Sequence, residues 1–458
     1  MIEAKNYAYK KVNSYEKMTK EEKKTMQSYA EGYKSFLDAA KTEREAVAES
    51  IKMVEKLGYK SYQLGDAICA GGKYYYNNRN KNLFVFRIGT DPVEKGIRIG
   101  AAHIDSPRLD LKPNPLYEDS GFAYLKTHYY GGIRKYQWLA IPLALHGTVI
   151  LTDGTVLNIV VGEDASDPIF YIDDLLPHLG KADNEKPLGT AVPGEKLNVL
   201  VGSEPIDKDE SDAVKLNVLR ILNEKYGIIE EDFLSAEICA VPAFKARDVG
   251  FDRSLIGAYG HDDRVCAYPS LTALLNSKND KNTMMCILAD KEEIGSDGPT
   301  GMKTELFLDL IAAIAKSQNA DPAIVKANSK CLSADVSACF DPNFADVFEK
   351  NNSSIVNCGV TVSKYTGGGG KSSTNDAPAE MVAWLRNVLN SNQVTWQIAE
   401  LGKIDAGGGG TVAKYISKHN IDTIDIGVGV ISMHAPYEVI AKADLYMTYK
   451  ALFAFYNF

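Results

Sequence analysis

The sequence predicts an α/β protein: a mixed, mostly parallel sheet covered by helices on both faces, with an inserted β-rich domain. Two patterns carry this. Toward both ends, apolar strand-like runs alternate with segments of helical period, the signature of parallel strands joined through helices. Between them, roughly 112–243, the pattern turns to closely spaced alternating strands. Length agrees, because 458 residues exceed one ordinary core. The expected division is a discontinuous α/β domain over 1–111 and 244–458, with the insertion at 112–243.

Residues 15–57, rich in Lys, Glu, Ala and Met, read as helices. GIRIGAAHID (96–105) reads as a strand ending on a polar pair. In the insertion, GTVILTDGTVLNIVVG (147–162) reads as strand, and DESDAVKLNVLRILNEKYG (209–227) as helix. Beyond it, MMCILAD (284–290), KCLSADV (330–336), SIVNCGVTVSK (354–364), QVTWQIAEL (393–401) and DTIDIGVGV (422–430) read as strands. Helices are expected at 264–277, 377–391, 411–420 and 436–456. Two four-glycine runs, 367–370 and 407–410, interrupt the pattern. KYTGGGGKSST does not have the spacing of a phosphate-binding loop. Both runs are therefore expected to be flexible loops at the ligand-binding edge, where backbone approaches a ligand closely.

With 51 basic and 60 acidic residues the net charge is -9, which argues against nucleic acid as a partner. The N-terminal stretch lacks the apolar core of a signal peptide, and no apolar run reaches the length of a membrane span. Seven cysteines, with no C-x-x-C, fit reduced thiols and a cytoplasmic location.

Five dispersed segments hold His, Asp or Glu where ligands gather. They are His103-Ile104-Asp105, Asp262-Asp263-Arg264, Glu292-Glu293, Ser333-Ala334-Asp335 and Met433-His434. His103, Glu292 with Glu293, and Asp335 lie at or just past the C-terminal ends of expected strands, and His434 follows another closely. That edge is where open α/β sheets bind ligands. Each segment alone also reads as an ordinary polar strand end or helix cap. Together they supply donors for two divalent ions with one shared carboxylate, plus a carboxylate left over to carry a proton, as hydrolysis at a paired-metal site requires. Asp105, two residues from His103 on the same strand face, is placed to orient the imidazole. Asp262 is the candidate shared carboxylate, bridging ions about 3.5–4 Å apart. Of the adjacent acids, Glu292 is the candidate base and Glu293 the candidate ligand. His128, His146, His261 and His419 read as structural. Zinc suits these donors, and so do cobalt and manganese.

AAHIDSPRLDLKP, KTHYYGGIRKYQW, GHDDRVCAY, LADKEEIGSDGPTG, SADVSACFDPN, KSSTNDAPAE, KIDAGGGGT and ISMHAPYEV follow one another from about residue 100 to the end. In these pieces the chain resembles the aspartyl aminopeptidase family of dinuclear zinc aminopeptidases, its bacterial members above all. The resemblance implies a catalytic α/β domain interrupted by a dimerisation domain, and dodecamers built from dimers. It implies two ions, one held by His103, Asp262 and Asp335 and the other by Asp262, Glu293 and His434. Glu292 would be the general base and Asp105 the orienting acid. It implies peptide substrates with acidic first residues, Lys371 being a candidate partner for the acidic side chain. By its place in IDDLLPHLGKADNE, His178 would reach a neighbouring subunit's substrate. The chain departs from the family pattern in QWLAIPLAL, where eukaryotic members carry charge, and in a KSSTN segment poorer in basic residues. The rival readings are a carboxypeptidase or deacylase on a related dinuclear scaffold, which needs a basic anchor for a free carboxylate, and a non-enzymatic shell-forming homologue.

Overall fold

The computed structural model describes residues 7–207 and 210–458. The first six residues of the N-terminal stretch, and Asp209 at the head of the expected helix 209–227, lie outside the described residues. The chain forms two compact units. The first runs up to Asp105, then from Ala246 to Met433 and from Glu438 to Phe458. The second comprises Ser106–Lys245 and His434–Tyr437.

The first unit is built on a nine-stranded sheet. Its centre is four adjacent parallel strands in the order Thr283–Ala289, Ile97–His103, Lys330–Ala334 and Asp422–Gly427. Asn82–Arg87 and Val360–Ser363 flank them antiparallel. Side chains alternate across a strand, and here both faces are apolar. Met284, Cys286 and Leu288 enter one core, while Met285, Ile287 and Ala289 enter the other. Helices Lys20–Ala39, Glu43–Glu55, His261–Asn276, Ala379–Ser391 and Lys442–Asn457 cover the first face, and Leu306–Ser317, Pro322–Asn328 and Ala413–Ser417 the second. Each fully buried Leu, Ile or Phe of these cores contributes about 1.5–3 kcal/mol. Local chemistry agrees with the packing. Thr19 with Glu22, and Thr42 with Glu45, close capping boxes at the starts of the first two long helices.

Several expected elements differ. The 422–430 run divides at Val428: Asp422–Gly427 stays in the large sheet, and Gly429–Ile431 joins a five-stranded sheet. The helix expected from 436 begins at Lys442. Glu438–Ala441 instead pairs antiparallel with Leu255–Ala258 and with Gly429–Ile431. Sheet hydrogen bonds there override the helical period that follows. Strands expected at 354–364 and 393–401 shrink to Val360–Ser363 and Trp396–Ile398, and the helix at 411–420 to Ala413–Ser417.

The second unit holds a six-stranded, wholly antiparallel sheet in the order Val156–Val161, Leu143–Ile150, Ala236–Pro242, Arg108–Asp119, Phe122–Tyr130 and Val199–Gly202. Helix Ala213–Tyr226 ends at Gly227, whose φ of 75° is the left-handed stop that glycine allows. Val156, Ile169, Leu175, Leu176, Leu179 and Leu188 remain exposed on this unit. Among the described residues, no helix is long and apolar enough to cross a membrane.

Candidate metal centre

The central parallel strands bring their C-terminal ends side by side, and the first unit's candidate residues meet there. His103 closes Ile97–His103, and Asp335 directly follows Lys330–Ala334. Gly427 lies against Asp335: a Cβ at Gly427 would fall 1.6 Å from the Asp335 carbonyl oxygen, so only glycine lets the two backbones meet. Glu292 and Glu293 occupy the one-turn helix Glu292–Ile294, bracketed by the left-handed Lys291 (φ 65°) and Gly295 (φ 94°). That sharp turn aims both carboxylates back over the sheet edge. Asp262 and Asp263, joined by a cis peptide, depart from helical geometry inside His261–Asn276.

His103 Nε2 lies 3.2 Å from Asp262 Oδ1, 3.8 Å from Asp335 Oδ1 and 3.9 Å from Glu292 Oε2. Ligand atoms of His103, Asp262 and Asp335 all lie within 4.8 Å of one another, and those of Asp262 and Glu293 are as close. His434 stands between Gly429–Ile431 and Glu438–Ala441 with a left-handed φ of 65°, in the short segment that groups with the second unit. Its Nδ1 is 2.7 Å from the Gly132 carbonyl oxygen.

Three carboxylates brace the main chain that carries these candidate residues. Asp105 is wholly buried. Its two oxygens accept the N–H groups of Glu292 (3.2 Å) and Glu293 (3.1 Å), and Oδ1 lies 3.3 Å from His103 Nδ1. The same Nδ1 is 3.0 Å from the Asp105 carbonyl oxygen, so main chain and side chain of one residue both face the imidazole. Asp263 Oδ2 accepts the His103 N–H at 3.3 Å, and Glu438 Oε2 accepts the Asp262 N–H at 3.1 Å. Farther back, Asp425 accepts the Thr411 hydroxyl at 2.7 Å, tying the end of the second glycine run to the sheet.

Charge is crowded here. Burial, then the Asp263 carboxylate, then those of Glu292 and Asp262 push Asp335 well above the usual carboxylate range, against the opposing pull of His103. Burial likewise drives Asp263 up. Burial alone would lower His103, but hydrogen bonds to Asp105 and Asp262, with the Asp105 and Asp335 charges, hold it well above its ordinary value. So many buried acids around one imidazole cannot all ionise without positive charge. The donor set, one imidazole with carboxylates, fits a divalent cation of the zinc type, whose charge would take the place of the proton on the imidazole.

The remaining candidates are placed as follows. His261 is buried and held neutral, its pKa lowered by burial to about 3. Its ring sits between the Tyr33 hydroxyl (2.9 Å) and the Ile256 carbonyl oxygen (3.1 Å). His146 faces Glu163 at 3.0 Å. His178 is exposed on the second unit. Lys371 lies over the Tyr365 ring at 3.8 Å, and it shares Asp376 with Lys364, each ammonium 3.1 Å from that carboxylate. The glycine runs are close to each other rather than open loops. Gly409 donates to the Thr366 carbonyl at 2.9 Å, Gly369 to Ile404 at 3.1 Å, and a Cβ at Gly408 (φ 113°) would fall 2.3 Å from Gly368 Cα.

Glu438 escaped the sequence reading. Taken as the first turn of a helix, PYEV presents its acid to solvent. Read as a strand it places Glu438 on the same face as Ile440, and both are buried.

A family model described as aminopeptidase I zinc metalloprotease (M18) matches residues 36–456. A probable M18 family aminopeptidase 1 of Clostridium acetobutylicum is 49% identical, over 97% of this chain and 98% of its own. The crystal structure of an M18-family aminopeptidase from Thermotoga maritima superposes with a TM-score of 0.94 at 45% identity, covering 98% of this chain and 100% of that one. The dodecameric mApe1 of S. cerevisiae shares the fold, with a TM-score of 0.77 at 22% identity over 93% of this chain and 96% of its own. Matched from residue 36 to residue 456, the chain belongs to the M18 family of zinc metalloproteases and is a metal-dependent aminopeptidase.

Proposed function

We propose that the enzyme removes N-terminal residues, acidic ones preferentially, from peptides at a site holding two divalent ions, with Glu292 as general base. The observation that carries this reading is His103 Nε2 within 3.2–3.9 Å of carboxylate oxygens from three separate segments. In this reading His103, Asp262 and Asp335 would hold one ion, and Asp262, Glu293 and His434 would hold the other. Zinc is the expected ion, and cobalt or manganese suits the same donors. An Nδ1–H donated to a carbonyl makes Nε2 the lone-pair nitrogen in both histidines. When bound, the ions supply Lewis acidity and a water acidified toward neutrality.

Glu292 takes a proton from the attacking water and returns it to the leaving amine. Asp105 holds the Glu292 and Glu293 amides and so fixes where both carboxylates point. The substrate's free ammonium binds among the acidic groups, which confines cleavage to the first peptide bond. Lys371 and Lys364 both meet Asp376, and their ammonium groups suit an acidic substrate side chain. The second unit, residues 112–243 at its heart, serves dimerisation. Its exposed leucines favour self-association, and a dodecamer like that of mApe1 is the expected assembly. His178, exposed beside Leu176 and Leu179, is placed to reach a neighbouring subunit's substrate. A cytoplasmic setting fits the free thiols.

The test is a panel of aminoacyl anilides with acidic, basic and apolar first residues, each with and without N-acetylation, assayed with zinc, cobalt and manganese. Acidic substrates with a free amine are expected to turn over fastest, and Glu292→Gln to keep its metals while losing about 10²–10⁴-fold in kcat. Full activity in that variant removes Glu292 from its role. Indifference to acetylation refutes the amine-binding step.

A further inference from the structure

The residue that stands out beyond the proposed ligands is Glu438. It is 1% exposed and opens the strand Glu438–Ala441, paired with Ala258. That register sets it beside the connection from Ala258 to Asp262. Gly260 is left-handed (φ 75°), and Asp262 and Asp263 depart from helical φ and ψ, so no helical ladder fixes their orientation. The N–H groups at such a helix start have no intrahelical acceptor. At Asp262 the acceptor is Glu438 Oε2, at 3.1 Å.

If Asp262 is the carboxylate that two ions would share, its orientation would have to be closely set. A peptide plane pinned at its N–H limits how the following side chain turns. The bond is also charge-assisted, hence stronger than a neutral one. We infer that Glu438 is a positioning residue: by holding the Asp262 amide it sets the bridging carboxylate and so secures the second cation. This rests on the two-ion reading above.

The experiment titrates zinc and cobalt into metal-free wild type, Glu438→Ala, Glu438→Gln and Glu438→Asp, reading stoichiometry and stepwise affinity by calorimetry and the cobalt spectrum. Melting of each metal-free protein is the control for folding. Wild type is expected to take two ions. Glu438→Ala and Glu438→Asp, which remove or retract the acceptor, are expected to keep the first ion and weaken the second roughly 10–100-fold, the usual cost of losing a residue that orients a ligand. Glu438→Gln keeps an acceptor oxygen and is expected to recover most of that affinity. Two ions with wild-type stepwise affinities in Glu438→Asp overturn the assignment. So does equal weakening of both ions together with a lowered melting temperature of the metal-free protein. If Glu438→Ala does not fold, the Gln and Asp variants decide the matter by these same outcomes. A wild type that binds one ion or none refutes the two-ion reading instead.

Discussion

Replacing Asp105 by Asn tests how the turn that carries Glu292 and Glu293 is held. The two carboxylate oxygens accept N–H groups of consecutive residues, at 3.2 and 3.1 Å. An amide side chain keeps one acceptor oxygen and turns the other into an NH₂ that faces an N–H. One of the two bonds is therefore lost whichever way the amide lies. A hydrogen bond to a charged group is worth about 1.5–3 kcal/mol, and Asp105 itself is wholly buried, so water cannot replace it cheaply. Stability of the metal-free protein is expected to fall by about that amount. The larger effect is on position. A shift of about 1 Å in a catalytic group can cost on the order of 100-fold in rate, and the turn carries both the candidate base and a candidate ligand. Urea unfolding of metal-free protein measures the first effect, and kcat with saturating zinc the second. The expected outcome is a modest loss of stability with a kcat drop of about 100-fold. Stability unchanged within about 0.5 kcal/mol, together with unchanged kcat, refutes the bracing role.

Two further perturbations address other parts of the chain. His178→Phe is expected to raise KM roughly tenfold, the loss of one hydrogen bond of about 1.4 kcal/mol, with melting and assembly size preserved; unchanged kinetics refute its action in a neighbouring subunit. Asp248 accepts Lys34 Nζ (2.8 Å), Lys442 Nζ (2.9 Å) and Arg253 Nε (2.8 Å), and the Lys442 side chain is 1% exposed. Asp248→Asn leaves that ammonium uncompensated and is expected to cost about 3–5 kcal/mol at pH 7 by urea unfolding. Partial burial raises the Asp248 pKa, but hydrogen bonds from its three cations outweigh it and hold the carboxyl well below its ordinary range. Its contribution is thus fully present above the unfolded carboxyl pKa of about 3.9 and is lost as pH falls toward the lower folded value. The variant is expected to show a shallower loss of stability between pH 5 and pH 2, on the order of the lost pairing, and an acid limb as steep as wild type refutes this account.

Much of the architecture was readable because burial on both faces leaves a strong local trace. TMMCILA and KCLSA are unbroken apolar runs, as central parallel strands must be. Short peripheral strands leave less. Trp396–Ile398 spans three residues, too few for a period to show. Glu438–Ala441 was hidden by the helix that begins at the next residue, Lys442. The glycine runs carried the signal of close backbone approach, and the structure shows them close to each other.

At the candidate site, the grouping of His103, Asp262, Glu292, Glu293 and Asp335 was legible because each combines a ligand-type side chain with a strand end or helix start. Glu438 and the second role of Asp105 were not, because accepting a main-chain N–H demands no special residue and leaves no motif.

The amino-acid order alone determined the element types along most of the chain, and which side chains have the chemistry to bind a cation or carry a proton. Both are properties of short windows: a period of two or 3.6 residues, and the donor atoms of each side chain. Only the tertiary structure decided that Ile97–His103 lies between Thr283–Ala289 and Lys330–Ala334, and hence that His103 faces Asp335 and Glu292. It alone decided that Asp105, Asp263 and Glu438 grip the amides of other segments. Strand order arises from how two cores pack against one sheet, an energy shared among residues hundreds of positions apart, and no local window contains it.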